Sequence, residues 1–299
     1  MKSMDLEAKS ALQLDLARRI LERMRDLGWD AGTRISVPEM ARGFGVSRSP
    51  VAAALALLAA QGIVEPTSTR GLQVAKRLTD LDFGAVLPQS PLEELHRRMM
   101  RERSSGVLAQ EVSEAELLAR YGVPRGVIRK LLMRFAAEGL AHRLPGHGWR
   151  FVDTLVGQQA YNESYEFRMV IECAALRSPT FKADLDQFAQ IRRAHERIRN
   201  AAAATTFDGD DWFSVDASFH EGLAACSGNR FLAEAVRQQN NLRRMQESSA
   251  FVDLPVERVE QSCREHIAIL DAVEAGEMQW AEDLLRRHLK QGSEFRLPG

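Results

Sequence analysis

Four side chains of this 299-residue chain have the types and spacing to hold a metal ion together. Asp216 and His220 stand four apart, so on a helix both project from one face, one turn apart. His266 and His288 follow in segments whose apolar neighbours mark an inward stripe. One carboxylate and three imidazoles suit a divalent ion such as Zn²⁺, Ni²⁺, Co²⁺ or Mn²⁺, with zinc favoured, and leave room for water or a ligand carboxylate. Taken singly, each histidine is more often a hydrogen-bonded core or surface residue than a ligand. The chemistry requires three helices to converge.

The elements that must position them are legible from periodicity. From Gln158 onward the chain alternates in the helical period over Gln158–Arg177, Lys182–Ala203, Asp208–Cys226, Arg230–Ser248, Pro255–Ala275 and Glu277–Gln291. Breaks such as Ser178-Pro179, Ser227-Gly228-Asn229 and Ala275-Gly276 separate them. This predicts an all-helical bundle, whose interior is a usual place for a small-ligand or metal site.

The first half carries a different signal. Shifting the chain by 77 residues aligns Ile35–Ala75 with Val112–Val152 without a gap, pairing Ser36 with Ser113, Glu39 with Glu116, Gly45 with Gly122, Arg48 with Arg125 and Gly62 with Gly139. A duplicated module is expected. Each copy reads as a serine-capped helix, a glycine turn, a second helix opening near a proline, and a two-stranded wing. In such a unit the start of the second helix enters the major groove and the wing meets a phosphate or the minor groove. The candidates for DNA contact are Ser47, Arg48, Ser49 and the wing residues Thr69 and Arg70 in the first copy. In the second they are Arg125, Arg129, Lys130 and the wing residues His147 and Arg150. Winged helices also serve as protein-interaction modules, where the same arginines are ordinary solvated charges.

Charge supports the division, weakly. Met1–Asp153 holds 23 basic and 18 acidic residues, and Thr154–Gly299 holds 17 and 23. The three cysteines, Cys173, Cys226 and Cys263, form no CxxC pair, so neither a disulfide framework nor a thiolate zinc site is expected. The longest strongly apolar stretch, Val51–Ala60, is far short of a membrane span, and a cytoplasmic protein is expected. The predicted organisation is mainly α, with two tandem winged helix-turn-helix domains (1–80 and 81–155) ahead of an all-helical domain (156–299).

The segment FGVSRSPVAAALALLAAQGIVEPTSTRGLQVA, residues 44–75, resembles the GntR family of bacterial transcription regulators. It departs at Ala52, where that family usually carries a second arginine; the second copy has Arg129 at the equivalent position. The helical half resembles the FCD-type ligand-binding domain of one GntR subfamily, through Asp216-x-x-x-His220, the Glu265-His266 helix and His288. The resemblance implies a metal site on Asp216, His220, His266 and His288. It also implies an effector carboxylate on Arg168, in Phe167-Arg168-Met169-Val170-Ile171-Glu172, with Glu172 a structural partner. It further implies a homodimer on a double-stranded DNA operator, responsive to a small organic acid. The alternatives are a metal-dependent hydrolase or isomerase built on the Asp/His₃ centre, and an interaction scaffold whose winged helices have lost DNA.

Overall fold

A computed structural model describes residues 11–68, 71–76, 78, 91–146, 148–155, 157–203, 209–247 and 255–294. The chain forms two compact units, residues 1–95 and 96–299. The expected boundary near residue 155 thus falls inside the second unit.

The first unit runs α1 (Ala11–Asp26), β1 (Arg34–Ile35), α2 (Val37–Phe44), α3 (Arg48–Ala60), β2 (Val64–Pro66) and β3 (Leu72–Val74). Ser36 caps α2 by accepting from the Glu39 backbone N–H, and Gly45 ends it at φ 64°, a left-handed conformation that glycine adopts without a Cβ penalty. The chain then turns by 113° into α3, within the range of a helix-turn-helix. Ile20, Leu21 and Met24 of α1, with Val51, Leu55 and Leu58 of α3, are fully buried in one core. Burial on that scale is worth ~1.5–3 kcal/mol for each large side chain.

The same element order recurs after α4 (Pro91–Ser104): β4 (Glu111–Ser113), α5 (Glu114–Tyr121), α6 (Arg125–Ala137), β5 (Ala141–Arg143) and β6 (Gly148–Phe151). The Ser113–Glu116 capping box closes in both directions. The strand registers repeat as well. Arg34 faces Gln73 and Glu65 faces Gln73 in the first sheet, and Glu111 faces Arg150 and His142 faces Arg150 in the second, each residue 77 further along. Both wings differ from the two-stranded expectation. A short strand ahead of the capped helix, β1 or β4, joins each sheet as an outer strand, giving the orders β1-β3-β2 and β4-β6-β5.

The helical part comprises α7 (Gly157–Leu176), α8 (Leu185–Ala203), α9 (Gly209–Ala225), α10 (Arg230–Glu247), α11 (Val256–Glu274) and α12 (Met278–Glu294). α9 is central: Trp212, Phe213, Val215, Asp216, Ala217, Phe219, His220, Leu223 and Ala224 are all buried, a pattern that runs round the helix. α7, α8 and α10 pack around it, and α11 and α12 pack on one another. A Cβ on Gly222 would meet the Ile191 side chain at 3.0 Å, so glycine permits the close passage of α8. The asparagines of α10 tie this helix on two sides. Asn240 donates to the Ala217 carbonyl of α9, and Asn241 donates at 2.9 Å to the Glu138 carbonyl at the end of α6.

Candidate metal centre and nucleic-acid interface

The expected cluster comes together from α9, α11 and α12. One ligand atom from each of Asp216, His220, His266 and His288 lies within 4.8 Å of all the others, and all four residues are buried. Asp216 Oδ1 is 3.9 Å from His220 Nε2 and 3.8 Å from His266 Nε2. Its other oxygen accepts from Arg243 Nη1 of α10 at 3.0 Å. Burial would raise the Asp216 carboxyl, but Arg243 and the neighbouring His220 and Arg168 outweigh it and hold the group well below the usual carboxylate range.

The partners of the imidazoles settle where their protons sit. His220 Nδ1 donates to Glu172 Oε2 at 2.6 Å, and His288 Nδ1 donates to Glu265 Oε2 at 2.7 Å. Both carboxyls are lowered despite burial, Glu172 to about 2 by Arg168 and His220, and Glu265 chiefly by His288. With neutral rings, Nε2 of His220 and Nε2 of His288 then carry lone pairs. His220 is pushed down to about 4 by burial, against the pull of Glu172, so it is neutral near pH 7. Its Nε2 is buried with no hydrogen-bond partner.

His266 Nε2 faces His288 Nε2 at 3.1 Å, and burial pushes the His266 pKa far down. If His266 carries its proton on Nδ1, these two nitrogens present opposed lone pairs, which a cation between them would satisfy. A proton would serve these two nitrogens but would leave His220 Nε2 an unsatisfied buried acceptor, which costs ~1–3 kcal/mol. A single metal ion satisfies all three nitrogens and Asp216 Oδ1. The donor set therefore fits a divalent metal, and the carboxylates behind His220 and His288 are the outer partners that orient metal-bound imidazoles.

Arg168 lies beside this centre on α7, fully buried. Its Nε donates to Glu172 Oε1 at 2.7 Å, and its guanidinium carbon lies 5.1 Å from the Tyr165 ring centroid. Its Nη2 is buried without a hydrogen-bond partner. Asn229 holds the turn into α10: its side-chain oxygen accepts from the Phe231 and Leu232 backbone N–H groups. The three cysteines are buried, as expected of apolar residues. Arg243 and His195 were missed in the sequence. His195 falls on the α8 stripe Ile191, His195, Ile198, which does signal an inward ring; Arg243 carried only its place seven residues after buried Val236.

In the first unit Ser47, Arg48 and Ser49 are exposed at the start of α3, and Ser47 spends no side-chain hydrogen bond on capping. The outward face beyond them is Ala52, Ala56 and Ala60. Arg70, Thr69 and His147 lie outside the described residues. In the second unit Arg125, Arg129 and Lys130 are exposed on α6, but Arg129 pairs with Glu114 at 3.2 Å. Arg150 pairs with Glu111 on the neighbouring strand. Arg129 on the second helix and Arg150 on the wing are both candidates for DNA contact; here each is engaged by an acid of its own module.

A helix-turn-helix unit ahead of a buried, polar-centred helical bundle is the build of a ligand-responsive DNA-binding regulator. Residues 12–74 match the bacterial regulatory proteins of the gntR family, and residues 163–291 match the FCD domain. The chain carries a GntR-family helix-turn-helix domain and an FCD domain, and is a transcriptional regulator. It is 26% identical over 212 residues to the HTH-type transcriptional regulator BphR of Paraburkholderia xenovorans strain LB400, covering 68% of this chain and 83% of the relative. It is 24% identical over 211 residues to the HTH-type transcriptional repressor RspR of Escherichia coli strain K12, covering 69% and 90%. The solved structure of Lar, which controls expression of the Listeria monocytogenes agr system, superposes with a TM-score of 0.54 at 17% identity. That superposition covers 68% of this chain and 94% of Lar. Among the described residues no single helix is long and apolar enough to cross a membrane.

Proposed function

We propose that Asp216, His220, His266 and His288 hold one divalent ion, zinc foremost, and that a small organic acid completes the site with a carboxylate on Arg168. The observation that carries this is the partnerless His220 Nε2 facing a carboxylate oxygen and two further imidazole nitrogens in a buried cluster. A bound ion supplies a concentrated positive charge for an acid oxygen. Arg168 binds the acid through its free Nη2, and Glu172 holds that guanidinium in place.

The effector shifts operator binding as far as it favours one arrangement of the protein over another. Both winged units read DNA in this proposal, as domains 1–80 and 81–155 ahead of the effector domain 156–299. The offset of 77 residues in sequence and in strand register supports a duplicated reader, as does the exposed start of α6 with Arg125 and Lys130. A cytoplasmic homodimer completes the reading, supported by Phe167 and Val170, 46% and 66% exposed and three residues apart on α7.

Selection of genomic fragments by the purified protein, with and without zinc, tests it, repeated for Arg48→Ala and Arg125→Ala. Each substitution is expected to weaken retention and relax selectivity, by ~1–3 kcal/mol if it removes a bidentate base contact. Retention unchanged by Arg125→Ala would remove the second unit from the interface. Retention unchanged by both would overturn the recognition-helix assignment.

A further inference from the structure

His195 of α8 is completely buried, one layer behind the cluster. Its Nδ1 lies 2.8 Å from the Ile191 carbonyl of its own helix. A carbonyl only accepts, so Nδ1 carries the proton, and Nε2, with the ring neutral, is left with a lone pair. That lone pair faces His266 Nδ1 at 2.8 Å. The His266 proton must therefore sit on Nδ1, which leaves His266 Nε2 bare and aimed at Asp216 and His288. The ring cannot easily turn away. Phe219 stacks on it at 3.9 Å between centroids and 12° between planes, and Trp212 lies nearly parallel at 6.1 Å. His195 itself meets Trp212 and Phe219 edge-on.

We infer that His195 is a positioning residue that sets the tautomer of His266, and so makes His266 Nε2 available to a divalent cation. This rests on the metal reading above and adds to it a chain of command from a helix carbonyl, through two imidazoles, to the site. It also separates the three ligand histidines by chemistry. His220 and His288 are backed by carboxylates, whereas His266 is backed by a neutral ring that directs its proton without adding negative charge. A hydrogen-bonded carboxylate raises the basicity of a ligand imidazole.

Two measurements test this. The first is ¹⁵N NMR of the zinc-free wild-type protein, labelled at its seven histidines. His266, assigned through His266→Gln, is expected as the Nδ1–H tautomer with His195 also protonated on Nδ1; an Nε2–H tautomer for His266 overturns the inference. The second is zinc affinity by chelator competition for wild type, His195→Phe and His195→Gln. Phenylalanine keeps a ring but removes the acceptor, and should weaken zinc ~10–100-fold, the usual cost of losing an outer partner. Glutamine offers an oxygen to His266 Nδ1 and should recover most of the loss. Equal losses in the two variants would mark His195 as packing alone, and unchanged zinc affinity in His195→Phe would also sink the proposal. A wild-type protein that takes no zinc would defeat the metal reading, while the tautomer measurement would still decide the role of His195.

Discussion

Glu172→Gln is the substitution whose effect can be worked most directly from the geometry. The Glu172 carboxylate is fully buried and accepts from Arg168 Nε with one oxygen and from His220 Nδ1 with the other. Its pKa is held at about 2, well below the ordinary glutamate value of 4.5. At about 1.4 kcal/mol per pH unit, that depression corresponds to about 3 kcal/mol of folded-state stability from the ionised form. A folded-state pKa below the unfolded one makes this contribution complete above pH ~4.5 and lost as pH falls through ~2. Glutamine has the same shape but neither charge nor titration, and it must offer an N–H to one of two donors. In metal-free protein the variant is expected to be less stable at pH 7 by about 3 kcal/mol, near the low end of what breaking a buried pair costs. Urea unfolding by circular dichroism at a series of pH values, with m-values compared, measures this. The gap between wild type and variant should narrow steadily from pH 4.5 towards 2. A gap under 1 kcal/mol at neutral pH, or one that stays constant on acidification, would refute the account of Glu172 as an ionised bridge.

Two further outcomes are expected. Asp216→Asn retains an oxygen for Arg243 but removes the only carboxylate among the four candidate ligands, so zinc affinity by chelator competition should fall on the order of 100-fold or more, beyond the usual loss for an outer partner. Val170→Glu combined with Phe167→Glu places charges on the exposed apolar pair of α7 and, if the proposed homodimer forms through that face, should shift the protein towards monomer in analytical ultracentrifugation; an unchanged sedimentation coefficient would count against this face as a dimer contact.

What could be read from the residues alone divides along a physical line. Contacts within one helix are periodic, so the shared face of Asp216 and His220 was visible from their spacing, as were the six helices around it to within a few residues. Contacts between helices leave no local trace. The Arg243 bond to Asp216 spans 27 residues, and the His195 bond to His266 spans 71. The strands β1 and β4 have only two and three residues, too few for alternation to register, which is why the sequence shows each wing one strand short. The same limit applies to Arg129 and Arg150. As isolated cations they suggest contact with DNA, and the acids that engage them sit 15 and 39 positions away.

The two sides of α10 have a mechanical consequence. Arg243 grips Asp216, and Asn241, two residues earlier, grips the end of α6. At about 100° per residue the two side chains leave the helix on nearly opposite flanks. A small roll of α10 about its long axis would therefore move both grips at once, like the two sides of a turned key. Any ligand that changes the pull of Arg243 on Asp216 has a short, stiff connection to the base of the α6 helix, with no flexible chain between them.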